Sequence, residues 1–220
     1  MSNSKDFDFV IYGATGFTGK LVVEYTLDKY LNVEDLSWAI AGRNVEKLES
    51  LKLELGLPSE IEIIEVDSED QASIDKLVER TKCVLTTVGP YQLYGDKIVK
   101  TCIESGTDYL DLCGEVWWMN KIISEYSNQA KDSGSRVIFS CGFDSIPFDL
   151  GVMFVQEETM SKFKKYAPSV RGRVRVMDGE FSGGTAASMK ATMEALKTNP
   201  ELLNTLINPY ALCEGFQGPQ

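Results

Sequence analysis

Residues 9 to 30 read FVIYGATGFTGKLVVEYTLDKY, and the expected fold follows from this stretch. An apolar run ends at three glycines in the spacing G-x-x-G-x-x-G, and a helix-like segment comes next. Glycines let a backbone turn tightly and approach a pyrophosphate, while a helix N-terminus offers unpaired N–H groups. The pattern predicts a dinucleotide site; the alternative is a glycine-rich turn that serves helix packing alone. The residues predicted to contact the nucleotide are Gly13, Thr15, Gly16, Phe17, Thr18 and Gly19.

Strand-like and helix-like segments alternate along the first two thirds of the chain. Long connections between apolar runs are typical of right-handed crossovers, which build a doubly wound parallel sheet. We therefore predict a Rossmann α/β fold with strand order 3-2-1-4-5-6 and a ligand crevice at the carboxyl ends of the strands. Ser68 with Gln71 is typical of a capping box, and Gly106 of a helix end. The predicted strands are DFVIY (8–12), SWAIA (37–41), EIEIIE (60–65), CVLTTV (83–88), TDYLDL (107–112) and RVIFS (136–140).

The second predicted strand ends in a cation. Residues 38–47 read WAIAGRNVEK. Arg43 stands where NAD-preferring sites carry Asp or Glu and NADP-preferring sites carry an arginine for the 2′-phosphate. Asn44 can cap the following helix, and Lys47 can add a second positive charge towards the same phosphate. The pattern predicts NADP(H) as the cofactor, with all three residues in its site; the alternative is a surface arginine beside a solvated lysine.

The segment after the fourth strand carries two tyrosines. Val88, Gly89 and Pro90 end this strand over the nicotinamide side of the expected crevice, and they bring Tyr91 and Tyr94 towards it. We predict that the first three residues contact the cofactor and that the two tyrosines are catalytic. A tyrosine in this place can pack on the cofactor or donate a proton, whereas the alternative for each ring is an ordinary core position.

Acidic residues follow several of the other strands. Asp67, after the third strand, is a candidate for the adenine edge of the cofactor and equally for a helix cap. Asp111 and Glu115 could relay protons. Asp144 and Ser145 precede an Ile-Pro pair in the manner of a helix start, so capping is the preferred interpretation there.

Composition argues against several classes of function. The formal charge of −11 argues against nucleic-acid binding, which depends on neutralising phosphates. The chain has no histidine, which removes Ser-His-Asp hydrolysis, Cys-His proteolysis and histidine-ligated metals. Five cysteines without a C-x-x-C pair suggest neither a disulfide framework nor a metal site. The longest run without a charged residue, 83–95, has 13 residues, whereas a membrane span needs about 20.

Several separate motifs resemble the saccharopine dehydrogenase-like oxidoreductases, a family that includes bacterial trans-acting enoyl reductases of lipid synthesis. The resemblance extends from residue 8 to about 151, and beyond it only FSGGTAASM (181–189) adds support. It implies a nicotinamide-dependent reductase fold with 13–19 on the pyrophosphate, Arg43 on the adenosine phosphate and 89–91 near the nicotinamide ribose. It does not imply saccharopine as the substrate. The motifs are YGATGFTGK, WAIAGRN, TTVGPYQLYG, DYLDLCGE and SCGFDSIPFDLG.

The organisation beyond residue 150 is expected to differ. We predict a Rossmann domain over 1–150 and, over 151–220, the start of an α+β substrate domain that is truncated relative to the family. VRGRVRV (170–176) reads as a strand and GGTAASMKATMEAL (183–196) as a helix, so we expect a loosely packed tail. Residues 162–175 hold six basic residues and no acid. This run indicates a patch for an anionic substrate or a membrane surface, or else a solvated connector.

Two functions are compatible with these features. The leading hypothesis is an NADP(H)-dependent oxidoreductase that transfers hydride to or from a carbonyl, imine or enoyl group of a small, lipid-like substrate. The other is a nucleotide-binding Rossmann protein without turnover that acts as a lipid-associated scaffold or redox sensor, because no obligatory catalytic dyad is visible. We expect an intracellular protein, either cytoplasmic or associated with lipid droplets or membranes. The sequence leaves open whether the protein forms a homodimer.

Overall fold

A six-stranded parallel sheet forms the centre of the molecule. The computed structural model describes residues 5–31, 33–213 and 215–216. The strands are β1 (Phe9–Tyr12), β2 (Trp38–Gly42), β3 (Glu62–Glu65), β4 (Cys83–Thr86), β5 (Asp108–Asp111) and β6 (Val137–Ile138). All neighbouring strands pair in parallel, in the order β3-β2-β1-β4-β5-β6. This order confirms the predicted doubly wound sheet.

Helices connect the strands and continue beyond the sheet. Those that cross between successive strands are α1 (Phe17–Tyr30), α2 (Val45–Leu55), α3 (Gln71–Arg80), α4 (Tyr91–Ser105) and α5 (Val116–Ser133). Those that follow the last strand are α6 (Ile146–Phe163), α7 (Gly183–Thr198) and α8 (Leu202–Ile207). Each crossover returns the chain to the same end of the sheet, so the loops after the strands gather along one edge.

Alternation along the strands divides the core into two halves. In β1, Val10 and Tyr12 belong to one buried cluster and Ile11 to the other. Helices α1 and α2 cover the Ile11 face through residues such as Val23 and Leu48, and α3, α4 and α5 cover the opposite face. Because successive side chains of a strand point to opposite faces, a sheet covered on both sides needs continuously apolar strands. Strand β2 meets this demand, since all five of its residues are buried.

One helix boundary agrees with its predicted signal and another does not. Gly106 ends α4 in the left-handed conformation, as predicted. The prediction of a capping box at Ser68 and Gln71 is wrong, because α3 begins only at Gln71 and Asp70 is its N-cap. The Asp70 carboxylate accepts a hydrogen bond from an N–H group of the first helical turn at 3.1 Å. A tight turn, closed by the Asp70 N–H group on the Asp67 carbonyl at 3.0 Å, moves the helix start two residues past Ser68.

The residues beyond the sheet depart from the predicted pattern. The segment 164–182 contains no strand, so the strand predicted at VRGRVRV (170–176) is wrong. A strand is stable only when its backbone groups pair with a neighbour, and no described strand lies beside this segment. The predicted helix GGTAASMKATMEAL is confirmed as α7. The predicted boundary at residue 150 falls inside α6, and the division into two domains stays a prediction.

Helix α6 is apolar, yet none of its described side chains is buried. Leu150 is 54% exposed and Phe154 is 64% exposed. Helix α7, in contrast, buries Ala191, and α8 packs on α5. Within the ranges that the structure describes, no helix is both long and apolar enough to cross a bilayer.

Candidate functional site

The loop between β1 and α1 leaves open space only at its middle glycine. Gly13 adopts a φ of +91°, and a Cβ atom there would lie 2.7 Å from Thr87 Oγ1. At Gly19 a Cβ atom would lie 2.1 Å from the Gly13 carbonyl oxygen, so α1 passes β1 too closely for any side chain. At Gly16, which is exposed beside Thr15, a Cβ atom would meet only that carbonyl oxygen, at 3.3 Å. The space in front of Gly16 is therefore open, as a pyrophosphate requires.

The first N–H groups of α1 follow this open position directly. Gly16 is the N-cap residue, and no side chain caps the helix. Its own N–H group donates to the Gly13 carbonyl at 3.0 Å, whereas the amides of Phe17, Thr18 and Gly19 donate to no group among the described residues. Unpaired N–H groups at a helix N-terminus attract anions. The geometry of this loop therefore fits the pyrophosphate of a dinucleotide.

Two cations lie beyond the end of β2. Arg43 and Lys47 are exposed, and neither side chain forms an ion pair or hydrogen bond with a residue in the described part of the chain. Asn44 caps α2 as predicted, since its side chain accepts from the Lys47 N–H group at 2.8 Å. Its predicted contact with the cofactor stays a prediction. A third cation nearby, Lys20 of α1, is paired with Glu54 at 2.6 Å. Arg43 and Lys47 therefore remain available for a phosphate.

Tyr12 and Asp67 lie near Arg43 at the ends of β1 and β3. Tyr12 is buried, and this burial together with the Asp67 carboxylate raises the pKa of its hydroxyl to about 12. The Asp67 carboxylate accepts from the Glu69 N–H group at 2.9 Å and closes the turn before α3, whose cap is Asp70. The helix-cap alternative for Asp67 is therefore wrong, and its contact with adenine stays a prediction. Sequence reasoning missed Tyr12, although it is the last residue of β1.

The end of β4 is hydrogen-bonded to the glycine loop. The Thr87 N–H group donates to the Tyr12 carbonyl at 2.9 Å, and the Thr87 hydroxyl donates to the Gly13 carbonyl at 3.1 Å. Residues 88–90 follow directly and lead into α4. The structure thus brings Val88, Gly89 and Pro90 next to the predicted pyrophosphate loop, while their contact with the cofactor stays a prediction.

The two tyrosines of α4 have different surroundings. Tyr91 is buried against Trp118, and its hydroxyl donates to the Thr86 carbonyl at 3.2 Å and accepts from the Leu112 N–H group at 3.4 Å. Burial raises the pKa of this hydroxyl far above its ordinary value. These contacts fit the alternative of a core tyrosine better than that of a proton donor. Tyr94 is 37% exposed and forms no side-chain hydrogen bond within the described residues, and its catalytic role stays a prediction.

Asp111 joins the ends of β5 and β6 from a buried position. One carboxylate oxygen accepts from the N–H groups of Cys113 and Ser140, both at 2.9 Å, and the other accepts from the Tyr109 hydroxyl at 3.0 Å. Burial, opposed by these hydrogen bonds, raises the pKa of Asp111 to about 6. All its described partners belong to the fold, so this carboxylate holds the two strand ends together. Its proposed part in a proton relay stays a prediction.

The other acids singled out in the sequence differ in their contacts. Glu115 is buried, and its carboxylate accepts from the first two N–H groups of α4 at 2.9 and 2.8 Å. Helix α6 begins at the predicted Ile-Pro pair, but its N-cap residue Ser145 makes no capping hydrogen bond and Asp144 is exposed. All five cysteines are free thiols. The described residues contain no group of three potential metal ligands.

Comparison with known proteins agrees with the motifs. Residues 9–138 match the saccharopine dehydrogenase NADP-binding domain, which confirms the predicted resemblance. A putative trans-acting enoyl reductase of Mycobacterium tuberculosis is 36% identical over 98% of this chain and 52% of its own length. The lipid droplet localized protein of Caenorhabditis elegans is 40% identical over 69% of this chain and 36% of its own length. The chain spans about half the length of the enoyl reductases that it matches.

A solved structure shares the fold. Saccharopine dehydrogenase (L-Glu forming) of Saccharomyces cerevisiae superposes with a TM-score of 0.55 and 18% identity, over 70% of this chain and 31% of that chain. At this identity the likeness shows the fold alone.

We expect Asp111→Asn to raise the free energy of unfolding at pH 7. Because the folded-state pKa lies near 6 and the ordinary value is 3.8, the folded protein binds more protons than the unfolded chain between these values. Stability from this group is therefore present at low pH and is lost as pH rises through about 6. Asparagine keeps an acceptor oxygen for the Cys113 and Ser140 N–H groups without the charge, and its NH₂ group faces the Tyr109 hydroxyl, which must then accept instead of donate. The gain at pH 7 is therefore at most about 3 kcal/mol.

Urea unfolding of both proteins from pH 4 to 8 measures this difference, which shrinks towards pH 4. Asp8→Asn is the control of opposite sign, because a hydrogen bond from Lys82 lowers the pKa of Asp8. That substitution should reduce stability at neutral pH and lose its effect in acid. An Asp111→Asn protein that is less stable than the parent at pH 7 would contradict the argument.

Proposed function

We infer the function of this chain from its family and from the geometry of its glycine loop: it belongs to the saccharopine dehydrogenase NADP-binding domain family, so NADP(H) is its cofactor. We propose that it is the nucleotide-binding part of an oxidoreductase that transfers hydride to or from a carbonyl, imine or enoyl group. The observation that carries the proposal is the open glycine loop at Gly16 together with Arg43, beyond the neighbouring strand, which has no side-chain partner in the part of the chain that the structure describes. The name of the mycobacterial relatives, trans-acting enoyl reductase, supports an enoyl substrate.

Each part of the cofactor would meet a different group of residues. The N–H groups at the start of α1 would hold the pyrophosphate, and Arg43 with Lys47 would bind the 2′-phosphate. Residues 88–90 would lie near the nicotinamide ribose. When bound, the nicotinamide supplies or accepts the hydride. The protein holds the cofactor in one position and excludes water from the reacting groups.

A reductase of this kind also needs a source of protons, and we propose Tyr94 in preference to Tyr91. The Tyr94 side chain lies one helical turn beyond residues 88–90, is partly exposed and has no hydrogen-bond partner among the described residues. The Tyr91 hydroxyl is already engaged by two backbone groups. A proton donor must reach the substrate, which favours the exposed ring.

We expect Arg43→Ala to weaken NADPH binding and to leave NADH binding unchanged. Loss of a charge-assisted phosphate contact costs roughly 1.5–3 kcal/mol, which corresponds to about a 10-fold to 150-fold rise in Kd. Isothermal calorimetry with both nucleotides measures this selectivity. Lys76→Ala is the control, because it also removes one exposed cation, from helix α3, whose residues are not assigned to the site. Equal affinity of the Arg43→Ala protein and the parent for NADPH would refute the assignment of Arg43 to the 2′-phosphate.

We expect Gly16→Val to abolish binding of both nucleotides while the fold stays intact. Its Cβ atom meets only the Gly13 carbonyl oxygen, but the rest of the valine side chain would occupy the open space in front of the loop. Calorimetry reports the binding, and circular dichroism with thermal melting reports the fold. Gly151→Val places the same side chain on exposed α6, where a Cβ atom meets nothing within 4 Å, and should bind normally. Retained binding in Gly16→Val would show that the loop serves packing alone.

A second candidate function is that of a lipid-associated protein that binds the nucleotide without turnover. The exposed apolar side chains of α6 favour this reading, since they adjoin the basic run 162–175. Apolar residues next to lysines and arginines are typical of segments that bind anionic lipid surfaces. The C. elegans relative is named for its localisation to lipid droplets. A lipid-like substrate is supported by the same surface, whereas a homodimer through α6 would cover it.

We expect the protein to float with vesicles that contain phosphatidylserine and not with phosphatidylcholine alone. Replacing Arg171, Arg173 and Arg175 with glutamine should weaken this binding about 100-fold, at about 1 kcal/mol for each cation near the membrane. Lys76→Gln is the single-charge control. Equal binding to both vesicle types would contradict the role of the basic run, and binding to neither would contradict the lipid surface. A concentration-dependent dimer by sedimentation would favour the homodimer. Oxidation of NADPH on addition of an enal or ketone would separate the oxidoreductase from a protein that only binds.

A further inference from the structure

Glu115 is a buried carboxylate that caps a helix to which it does not belong. Its Oε1 atom accepts from the Tyr91 N–H group at 2.9 Å, and its Oε2 atom accepts from the Gln92 N–H group at 2.8 Å. These are the first two N–H groups of α4, whose own N-cap, Pro90, has no side-chain acceptor. Glu115 therefore supplies the cap, and it compensates the positive end of the α4 dipole.

The same carboxylate is bonded on its other side to α7. The Ser188 hydroxyl donates to Glu115 Oε1 at 2.8 Å, and the Gln92 side-chain amide donates to Thr192 Oγ1 at 3.2 Å. Ser188 and Thr192 are four residues apart, so they share one face of the helix with the buried Ala191. This face attaches α7 to the N-terminus of α4 through two side-chain links.

The point of attachment lies directly beside the proposed cofactor site. Residues 88–90 immediately precede the two N–H groups that Glu115 holds. Thr87, one residue earlier, is bonded to the carbonyl of Gly13 in the glycine loop. A short path of hydrogen bonds thus runs from α7 through Glu115 to the segment proposed to face the nicotinamide ribose.

We propose that Glu115 is a positioning residue that couples the docking of α7 to nucleotide binding at residues 88–90. The proposal rests on the NADP(H) function proposed above. Docked α7 completes the bonding of the Glu115 carboxylate and so fixes the start of α4. A nucleotide that binds best when this segment is fixed must, by linkage, favour the docked helix in return. Without Ser188, Glu115 keeps its backbone partners but loses its bond to α7.

The test uses the whole chain with Ser188→Ala, and Thr198→Ala as the matched control. Thr198 is also a hydroxyl residue of α7, but it donates only to the Glu194 carbonyl of its own helix. Amide hydrogen exchange of α7 is measured with and without NADPH, and the Kd of NADPH is measured by calorimetry. We expect NADPH to slow exchange in α7 about 5-fold or more in the parent and in Thr198→Ala. Ser188→Ala should lose most of this slowing and bind NADPH about 5-fold more weakly or worse.

Glu115→Gln provides a second variant, in which the sequence of α7 is unchanged. The NH₂ group of glutamine would face at least one of the N–H or O–H donors that now bond to the carboxylate, and it cannot accept their hydrogen bonds. We therefore expect faster amide hydrogen exchange at Tyr91 and Gln92 and weaker NADPH binding. If this variant fails to fold, Ser188→Ala still decides the question. A purely structural role would lower thermal stability in these variants without changing the response of α7 to the nucleotide.

The outcomes separate this inference from the function on which it rests. If the parent binds NADPH but α7 exchanges at the same rate with and without it, the coupling is refuted and the function stands. The same conclusion follows if Ser188→Ala binds NADPH as tightly as the parent. If the parent does not bind NADPH at all, the proposed function fails and the coupling fails with it.

Discussion

Helix α1 passes strand β1 at a separation that only glycine permits, and the proposed nucleotide site depends on this contact. A Cβ atom at Gly19 would lie 2.1 Å from the Gly13 carbonyl oxygen. With the helix held so close, its free N–H groups lie at the carboxyl edge of the sheet beside Gly16. The Gly13 carbonyl also accepts the Thr87 hydroxyl, so the end of β4 shares the same anchor. The start of α1 and the end of β4 are therefore both placed against the same backbone carbonyl.

The two ends of the proposed site carry charges of opposite sign, exposed at one end and buried at the other. On the proposed adenosine side, Arg43 and Lys47 are exposed and unpaired among the described residues, within a chain whose net charge is −11. A local pair of cations in an acidic protein favours a small anion over a polyanion. On the other side, Asp111 and Glu115 are buried and accept hydrogen bonds from the backbone. Fixed carboxylates there hold the strand ends and the start of α4, while the cations remain free to meet a ligand.

Of the helices that follow the sheet, α7 and α8 pack against other helices, whereas α6 buries none of its described side chains. Helix α7 is tied to α4 through Glu115, and α8 packs on α5. Helix α6 presents apolar residues such as Phe154 to solvent. Burying apolar surface is the main stabilising term in folding, so an apolar helix without a buried side chain offers a surface for association. The chain spans about half the length of its enoyl reductase relatives.

Residue patterns were enough to predict the strand order, the glycine loop and the cation after β2. The strand order follows from the alternation of apolar runs with crossover helices. The glycine spacing and the place of Arg43 are evident from neighbouring residues. The partners of buried polar groups, in contrast, are known only from the way the elements pack together. Tyr91 bonds to Leu112, 21 residues away, and Glu115 caps a helix that begins 24 residues earlier. Such partners are chosen by how elements distant in the chain pack together, which local periodicity does not encode. For the same reason VRGRVRV has the composition of a strand, but the residues that the structure describes offer no neighbouring strand with which it could pair.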